Sequence, residues 1–430
     1  MKYTPVDGKF FAENRKRFAA LMKPNSIAIF HSNDQMPRNG DDTYPFRQNS
    51  DLWYLTGIDQ EDTYLMIYPD SPRPEYKEVL FLRQTNEVIA AWEGHMYSKS
   101  EAHEASGGIK TIVWNDEFNV LLTTLMVYAE NVYINLNEND RQAWKVPYRD
   151  LRFVKEIKRR YPLHNYLRAG NLMRQLRQIK SQTEVDLIKK ACGITRDAFL
   201  RTLKFVKPGV MEYEIEAEIL HEFIRQRATT YAYYPIIASG KDSCVLHYHA
   251  NNKECKSGDI IAMDFGCEYA NYASDLTRVI PVNGKFTKRQ RDVYDAVLRV
   301  FKKLRNNLRP GTTLNDHNNL SGQVVEEELI KLGLLKAEDV KKQDPDRPLY
   351  KKYYMHGASH FMGLDTHDLG HRFESIKAGM VFTCEPGIYI PEESIGIRIE
   401  NDILVTDKDP IDLMGDIPIE ADEIEELMKK

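Results

Sequence analysis

No stretch of this 430-residue sequence approaches the roughly 18 consecutive apolar residues that a membrane-spanning helix requires, so no membrane segment is expected. The opening residues, Met1-Lys2-Tyr3-Thr4-Pro5, form no apolar export signal, and a cytoplasmic location is the expectation. Cysteine is scarce. Five are present (Cys192, Cys244, Cys255, Cys267 and Cys384), none in a C-x-x-C pair, and the odd number leaves any disulfide scheme one thiol short; buried reduced thiols are expected. A surplus of one charge is also missing: the formal net charge is -5 and the basic residues are scattered, which argues against a nucleic-acid partner. Hydrophobic residues at 42% and charged residues at 29% exclude disordered, collagen-like and disulfide-framework chains. What is left is a soluble globular protein too long for one core, and two domains are expected.

The first part alternates strand-like runs (Ser26 to Phe30, Tyr64 to Tyr68, Glu78 to Leu82) with polar turns, then a helical pattern from about Glu117 to Tyr128. This predicts a small α/β domain over residues 1–176. From Leu151 to Leu176 the chain turns basic and helical, which reads as a connecting helix. Residues 177–430 form the second predicted domain. It opens on a capping box, Ser181-Gln-Thr-Glu184, and a helix that stops at Pro208-Gly209, then a second helix from about Glu212 to Arg227. The pattern recurs at Thr287-Lys-Arg-Gln290, with a stop at Pro310-Gly311 and a further helix to about Leu332.

A closer internal match accompanies this repeat. Lys256-Ser-Gly-Asp-Ile-Ile-Ala-Met-Asp264-Phe-Gly266 aligns without gaps on Lys377-Ala-Gly-Met-Val-Phe-Thr-Cys-Glu385-Pro-Gly387. Each copy places a loop glycine before a short apolar strand and an acid at its end. Duplication of this kind predicts an α+β domain with a pseudo-twofold axis, and a site where the two acids face each other.

Asp264 is followed by Asp275, and Glu385 by Glu400, at spacings that suit a returning strand. Four crowded carboxylates repel one another and persist as anions only with cations among them; two divalent ions balance the charge. Histidines supply nitrogen donors: His356, His360 and His367 fall within twelve residues, and His247 and His249 flank Tyr248. An oxygen-rich site with one imidazole favours Mn²⁺, Fe²⁺ or Co²⁺ over a thiolate zinc site, and a pair of such ions is the equipment of a hydrolase.

The segments Met263 to Asp275, His356 to His367, Glu385-Pro-Gly-Ile-Tyr389 and Ile397-Arg-Ile-Glu-Asn401 resemble the pita-bread metallopeptidases, which include methionine aminopeptidase, prolidase and aminopeptidase P. Tyr44-Pro-Phe-Arg-Gln-Asn-Ser-Asp-Leu-Trp-Tyr-Leu-Thr-Gly57 is similar to the N-terminal domain of the aminopeptidase P branch, and Leu246 to Asn252 to its substrate-side loop, with His249 and Ala250 where a threonine and a glutamate are common. The resemblance implies that Asp264 holds one ion, His360 and Glu385 the other, and Asp275 and Glu400 both. It implies Mn²⁺ first, with Co²⁺, Fe²⁺ or Zn²⁺ as alternatives. Glu385 would also accept a proton, His247, His356 and His367 would orient substrate or assist proton transfer, and Arg398 would fix a ligand carboxylate. The implied substrates are peptides with proline second, the implied reaction is release of the residue before it, and the implied assembly is a homodimer or homotetramer. Cleavage of Xaa-Pro dipeptides only, and a metal-free binding module of the same fold, are the alternatives.

Overall fold

The computed structural model describes residues 3–139, 141 and 146–429. The chain divides into two compact units, Tyr3–Arg177 and a second from Gln178 onward.

In the first unit a six-stranded mixed sheet runs in the order Thr111–Trp114, Glu78–Leu82, Tyr64–Ile67, Ser26–His31, Asn131–Ile134, Asn165–Arg168. The central strand Ser26–His31 is buried throughout, as its unbroken apolar run requires. Ile27, Ile29, Met66, Val79 and Phe81 form one core with Phe118, Leu121, Leu122 and Leu125 of the helix Phe118–Met126. Each such fully buried side chain contributes about 1.5–3 kcal/mol.

The connecting helix expected over 151–176 is not what forms. The chain makes the helix Arg149–Arg160, the edge strand Asn165–Arg168 paired parallel to Asn131–Ile134, and a second helix Ala169–Arg177. Pro162 interrupts the helical run, and the Tyr166 hydroxyl donates to the carbonyls of Ile157 and Tyr161, tying the strand back to the helix end. Arg168, the strand's one basic residue, is exposed at its end, and the other basic residues of this stretch lie in the flanking helices.

The second unit contains the repeat. Both expected capping boxes form: Glu184 Oε2 accepts from Ser181 N at 2.8 Å and Gln290 Oε1 from Thr287 N at 2.9 Å. They open the helices Gln182–Phe205 and Lys288–Asn307, which pack against Glu212–Arg225 and Leu314–Lys331 respectively. The strand Ile260–Phe265 pairs antiparallel with Leu276–Pro281, and Val381–Cys384 with Asn401–Leu404. Gly258 and Gly379, equivalent in the aligned segments, have φ of 90° and 87°, the left-handed conformation that a side chain would strain. The hydrogen bonds repeat as well: Val282 N to Asp259 O and Val405 N to Met380 O are both 2.9 Å. In this register Thr277 and Glu400 are equivalent, and they bridge antiparallel to each other. The local twofold axis therefore passes between them, with Asp264 and Glu385 at matching strand ends on either side.

Candidate metal centre

Asp264 sits in the strand Ile260–Phe265 opposite Thr277, and Glu385 follows the last residue of Val381–Cys384, whose partner is Asn401. Glu400 precedes Asn401, so the two glutamates leave their strands side by side. Asp275 immediately precedes the strand Leu276–Pro281, and its N–H donates to Asp402 Oδ2 at 3.1 Å. His360 is fastened by backbone bonds to the second half: its N–H donates to Thr383 Oγ1 at 3.1 Å, and Thr383 N to its carbonyl at 3.0 Å.

These placements converge. Ligand atoms of Asp275, His360 and Glu400 all lie within 4.8 Å of one another, and all three residues are buried. Glu385 flanks the group, with Oε1 3.8 Å from His360 Nε2, which is itself 3.4 Å from Asp275 Oδ2. His360 Nδ1 is 3.0 Å from the Phe361 carbonyl, an oxygen that can only accept. The ring proton is thus on Nδ1, and the Nε2 lone pair faces the carboxylates, as a metal ligand requires. Asp264 is held from two sides, by Arg398 Nη2 at 2.5 Å and the Tyr233 hydroxyl at 2.6 Å.

The electrostatics fit divalent ions. Burial, and then the repulsion of Asp275, Glu385 and Asp264, push the Glu400 carboxyl well above the usual carboxylate range. Burial pushes Glu385 up to about 7, against the opposing pull of His360 and Arg398. The charged forms of Glu385 and Glu400 are thus disfavoured by too little positive charge around them, a deficit that cations would remove. The Tyr233 phenol, raised far above its ordinary value by burial and by Asp264 and Asp275, keeps its single proton between the two aspartates, 2.5 Å from Asp275 Oδ1. Oxygen donors with one imidazole nitrogen suit Mn²⁺, Fe²⁺, Co²⁺ or Zn²⁺.

Around the acids runs a hydrogen-bonded chain. Arg398 donates to Asp264, to Thr277 Oγ1 at 3.1 Å and to the Tyr389 hydroxyl at 2.9 Å, and Thr277 Oγ1 donates to Glu400 Oε2 at 2.6 Å. Tyr389 Oη is 2.8 Å from His356 Nε2, while His356 Nδ1 is 2.8 Å from the Gly357 carbonyl. The imidazole is thus an acceptor from Tyr389, and burial, followed by the Arg398 charge, pushes it down to about 3. His367 is exposed and packs edge-on against His360 with ring centroids 4.3 Å apart. His247 is exposed as well, stacked on His249 at 6.2 Å and in electrostatic contact with His356. Sequence patterns did not single out Tyr233, Thr277, Tyr389 or Asp402, which bind the candidate ligands or their partners. Tyr389 lay inside a recognised segment and Thr277 two residues beyond another; Tyr233, in the run Tyr231-Ala-Tyr-Tyr234, carried no signal of its own.

Residues 186–407 match the model of metallopeptidase family M24, and residues 11–133 that of the aminopeptidase P N-terminal domain. The Xaa-Pro aminopeptidase of Haemophilus influenzae is 34% identical over 97% of this chain and 96% of its own length, and that of Escherichia coli is 34% identical over 97% of each. A structure of aminopeptidase P from E. coli with the inhibitor Pro-Leu superposes with a TM-score of 0.87 at 31% identity, covering 99% of both chains. With its candidate ligands spread over a duplicated α+β unit of the pita-bread type and an aminopeptidase P-like unit before it, the chain belongs to metallopeptidase family M24.

Proposed function

We propose that this chain is a metallo-aminopeptidase that removes the first residue from peptides whose second residue is proline. The observation that carries the reading is the buried cluster of Asp275, His360 and Glu400, with Glu385 beside it and Asp264 joined to Asp275 through the Tyr233 hydroxyl, in a chain similar over nearly its whole length to Xaa-Pro aminopeptidases. Residues 1–176 form its first domain and 177–430 the catalytic one. The ions it takes are Mn²⁺ by preference, and the working form is a cytoplasmic homodimer or homotetramer.

A pair of divalent ions supplies a water nucleophile at neutral pH and polarisation of the scissile carbonyl. The chain's own residues do the rest. Proline's amide nitrogen is tertiary and has no N–H to grip, so recognition rests on groups that address the carbonyl and the leaving nitrogen. Glu385 takes the proton of the attacking water on Oε and returns it to the proline nitrogen as the C–N bond breaks. His367 beside His360 stabilises charge that develops on the substrate carbonyl oxygen, while His356, kept neutral and fixed by Tyr389, orients the substrate. Arg398 holds the Asp264 carboxylate in place.

The test uses Mn²⁺-loaded protein with an Xaa-Pro dipeptide and a longer Xaa-Pro-Xaa peptide, with and without chelator. Release of the first residue from the longer peptide, abolished by chelator, is the expected result. Cleavage of the dipeptide alone would make the chain a prolidase, and cleavage of neither would remove the substrate assignment.

A further inference from the structure

From His360 to Gly370 the chain makes no helix or strand beyond a single bridge of Phe361 to Phe382, yet this segment carries both His360 and His367. His360 is fixed by the Thr383 bonds described above. His367 lies seven residues on, exposed, at the far side of a loop whose backbone bonds include Gly363 N to Asp365 O at 3.1 Å and Asp368 N to Phe361 O at 2.9 Å. Directly after it, Asp368 turns inward. Its Oδ1 accepts from Leu369 N at 2.8 Å, and its Oδ2 from Lys180 Nζ at 2.7 Å. Both side chains of this ion pair are 1% exposed. Lys180 is anchored in turn, its N–H donating to the Gly379 carbonyl at 2.8 Å beside the strand that ends at Glu385.

We propose that Lys180 and Asp368 are positioning residues for the candidate catalytic site: their buried ion pair sets where the His367 imidazole stands against His360. This inference rests on the functional reading above for the role of His367. A fully buried ion pair is a poor stabilising device, since desolvation consumes most of its attraction, but it is a strict geometric one, because each partner has one low-energy place. The packing around it is equally restrictive. A Cβ on Gly363 would lie 2.3 Å from Asp368 Oδ2 and 2.8 Å from Lys180 Nζ, and one on Gly370 would lie 2.2 Å from the Phe361 ring. Gly363 O also accepts from Ala273 N at 2.8 Å, two residues before Asp275, so the same corner joins the loop to the segment that leads into that acid.

The experiment uses the whole Mn²⁺-loaded chain. Lys180→Met combined with Asp368→Asn removes both charges at nearly constant shape and leaves the Leu369 bond in place. Gly363→Ala wedges the pair apart with both charges retained, and serves if the double variant does not fold. For either variant, at a temperature where it melts well above the assay, kcat on an Xaa-Pro-Xaa peptide is expected to fall about 10- to 100-fold with KM little changed. A crystal structure is expected to show the His367 ring displaced from its 4.3 Å contact with His360. A folded variant with parental kcat and an unmoved ring would overturn the proposal and leave the pair a structural element. The ring position is read without reference to turnover, so a parent that cleaves no such peptide sinks the functional reading while the crystal still decides this one.

Discussion

Glu385 and Glu400 occupy positions where a carboxylate is costly without a counter-ion. Burial and like charge raise both, Glu385 to about 7 and Glu400 well above its ordinary range. In the ion-free protein Glu385 therefore holds its proton part of the time near neutrality, Glu400 is shifted in the same direction, and cations bound by these carboxyls would displace such protons. Calorimetric titration of metal at pH 6.5 in two buffers of different ionisation enthalpy is expected to show net proton release, diminishing toward pH 8.5 as Glu385 becomes ionised beforehand. A binding heat independent of buffer at pH 6.5 would contradict the assignment of these two acids as ligands. Asp264 and Glu385 were legible in the chain because they end two copies of one segment. Tyr233 was not: its phenol reaches Asp264 and Asp275 only because the loop before the strand Ile236–Ser239 folds over them.

Among the elements, the segment Val245 to Lys253 presents His247 and His249 outward by turning Tyr248 inward. The Tyr248 hydroxyl donates to Glu212 Oε2 at 2.8 Å, and the same carboxylate accepts from Lys253 N at 3.0 Å and, at Oε1, from Ser239 N and Oγ at 2.8 and 2.7 Å. Glu212 is fully buried, so each of these donors offsets part of its desolvation. Asn251, at φ 43°, closes the segment by accepting from Ile237 N and donating to Glu216 and Pro235. Tyr248→Phe should cost about 1–3 kcal/mol in denaturant unfolding. It should also weaken turnover through His247 rather than metal binding, which metal analysis of the variant checks. Unchanged turnover would mean that the loop is held without the latch. The sequence showed two histidines flanking Tyr248; it held no information about which way each side chain turns or about Glu212, thirty-six residues earlier in the chain.

For the whole molecule, all five candidate ligands and the buried Lys180–Asp368 pair belong to the second unit, which has its own repeat-related helices and sheets. A fragment of residues 178–430 is expected to bind two divalent ions per chain, measured by elemental analysis after gel filtration. A fragment that folds by circular dichroism yet carries no ions would show that the ligands need more than this unit to assemble. Among the described residues no helix is long and apolar enough to cross a membrane.

The amino-acid sequence by itself determined the local devices: the capping boxes at Ser181 and Thr287, the paired glycines Gly258 and Gly379, the apolar strands of each repeat and the acids that end them. Each depends on residues only a few positions apart, where side-chain chemistry and backbone preference act directly. It misread residues 151–176, because a four-residue edge strand with basic neighbours has no periodicity long enough to outweigh the flanking helices. The tertiary structure alone decided that Thr277 and Glu400 meet at the local axis, that Arg398 joins Asp264 to Tyr389, and that Lys180 lies under the loop of His367. Those contacts span from 9 to 188 residues of chain, and they arise because buried charges and hydroxyls must find partners wherever the packed strands bring them.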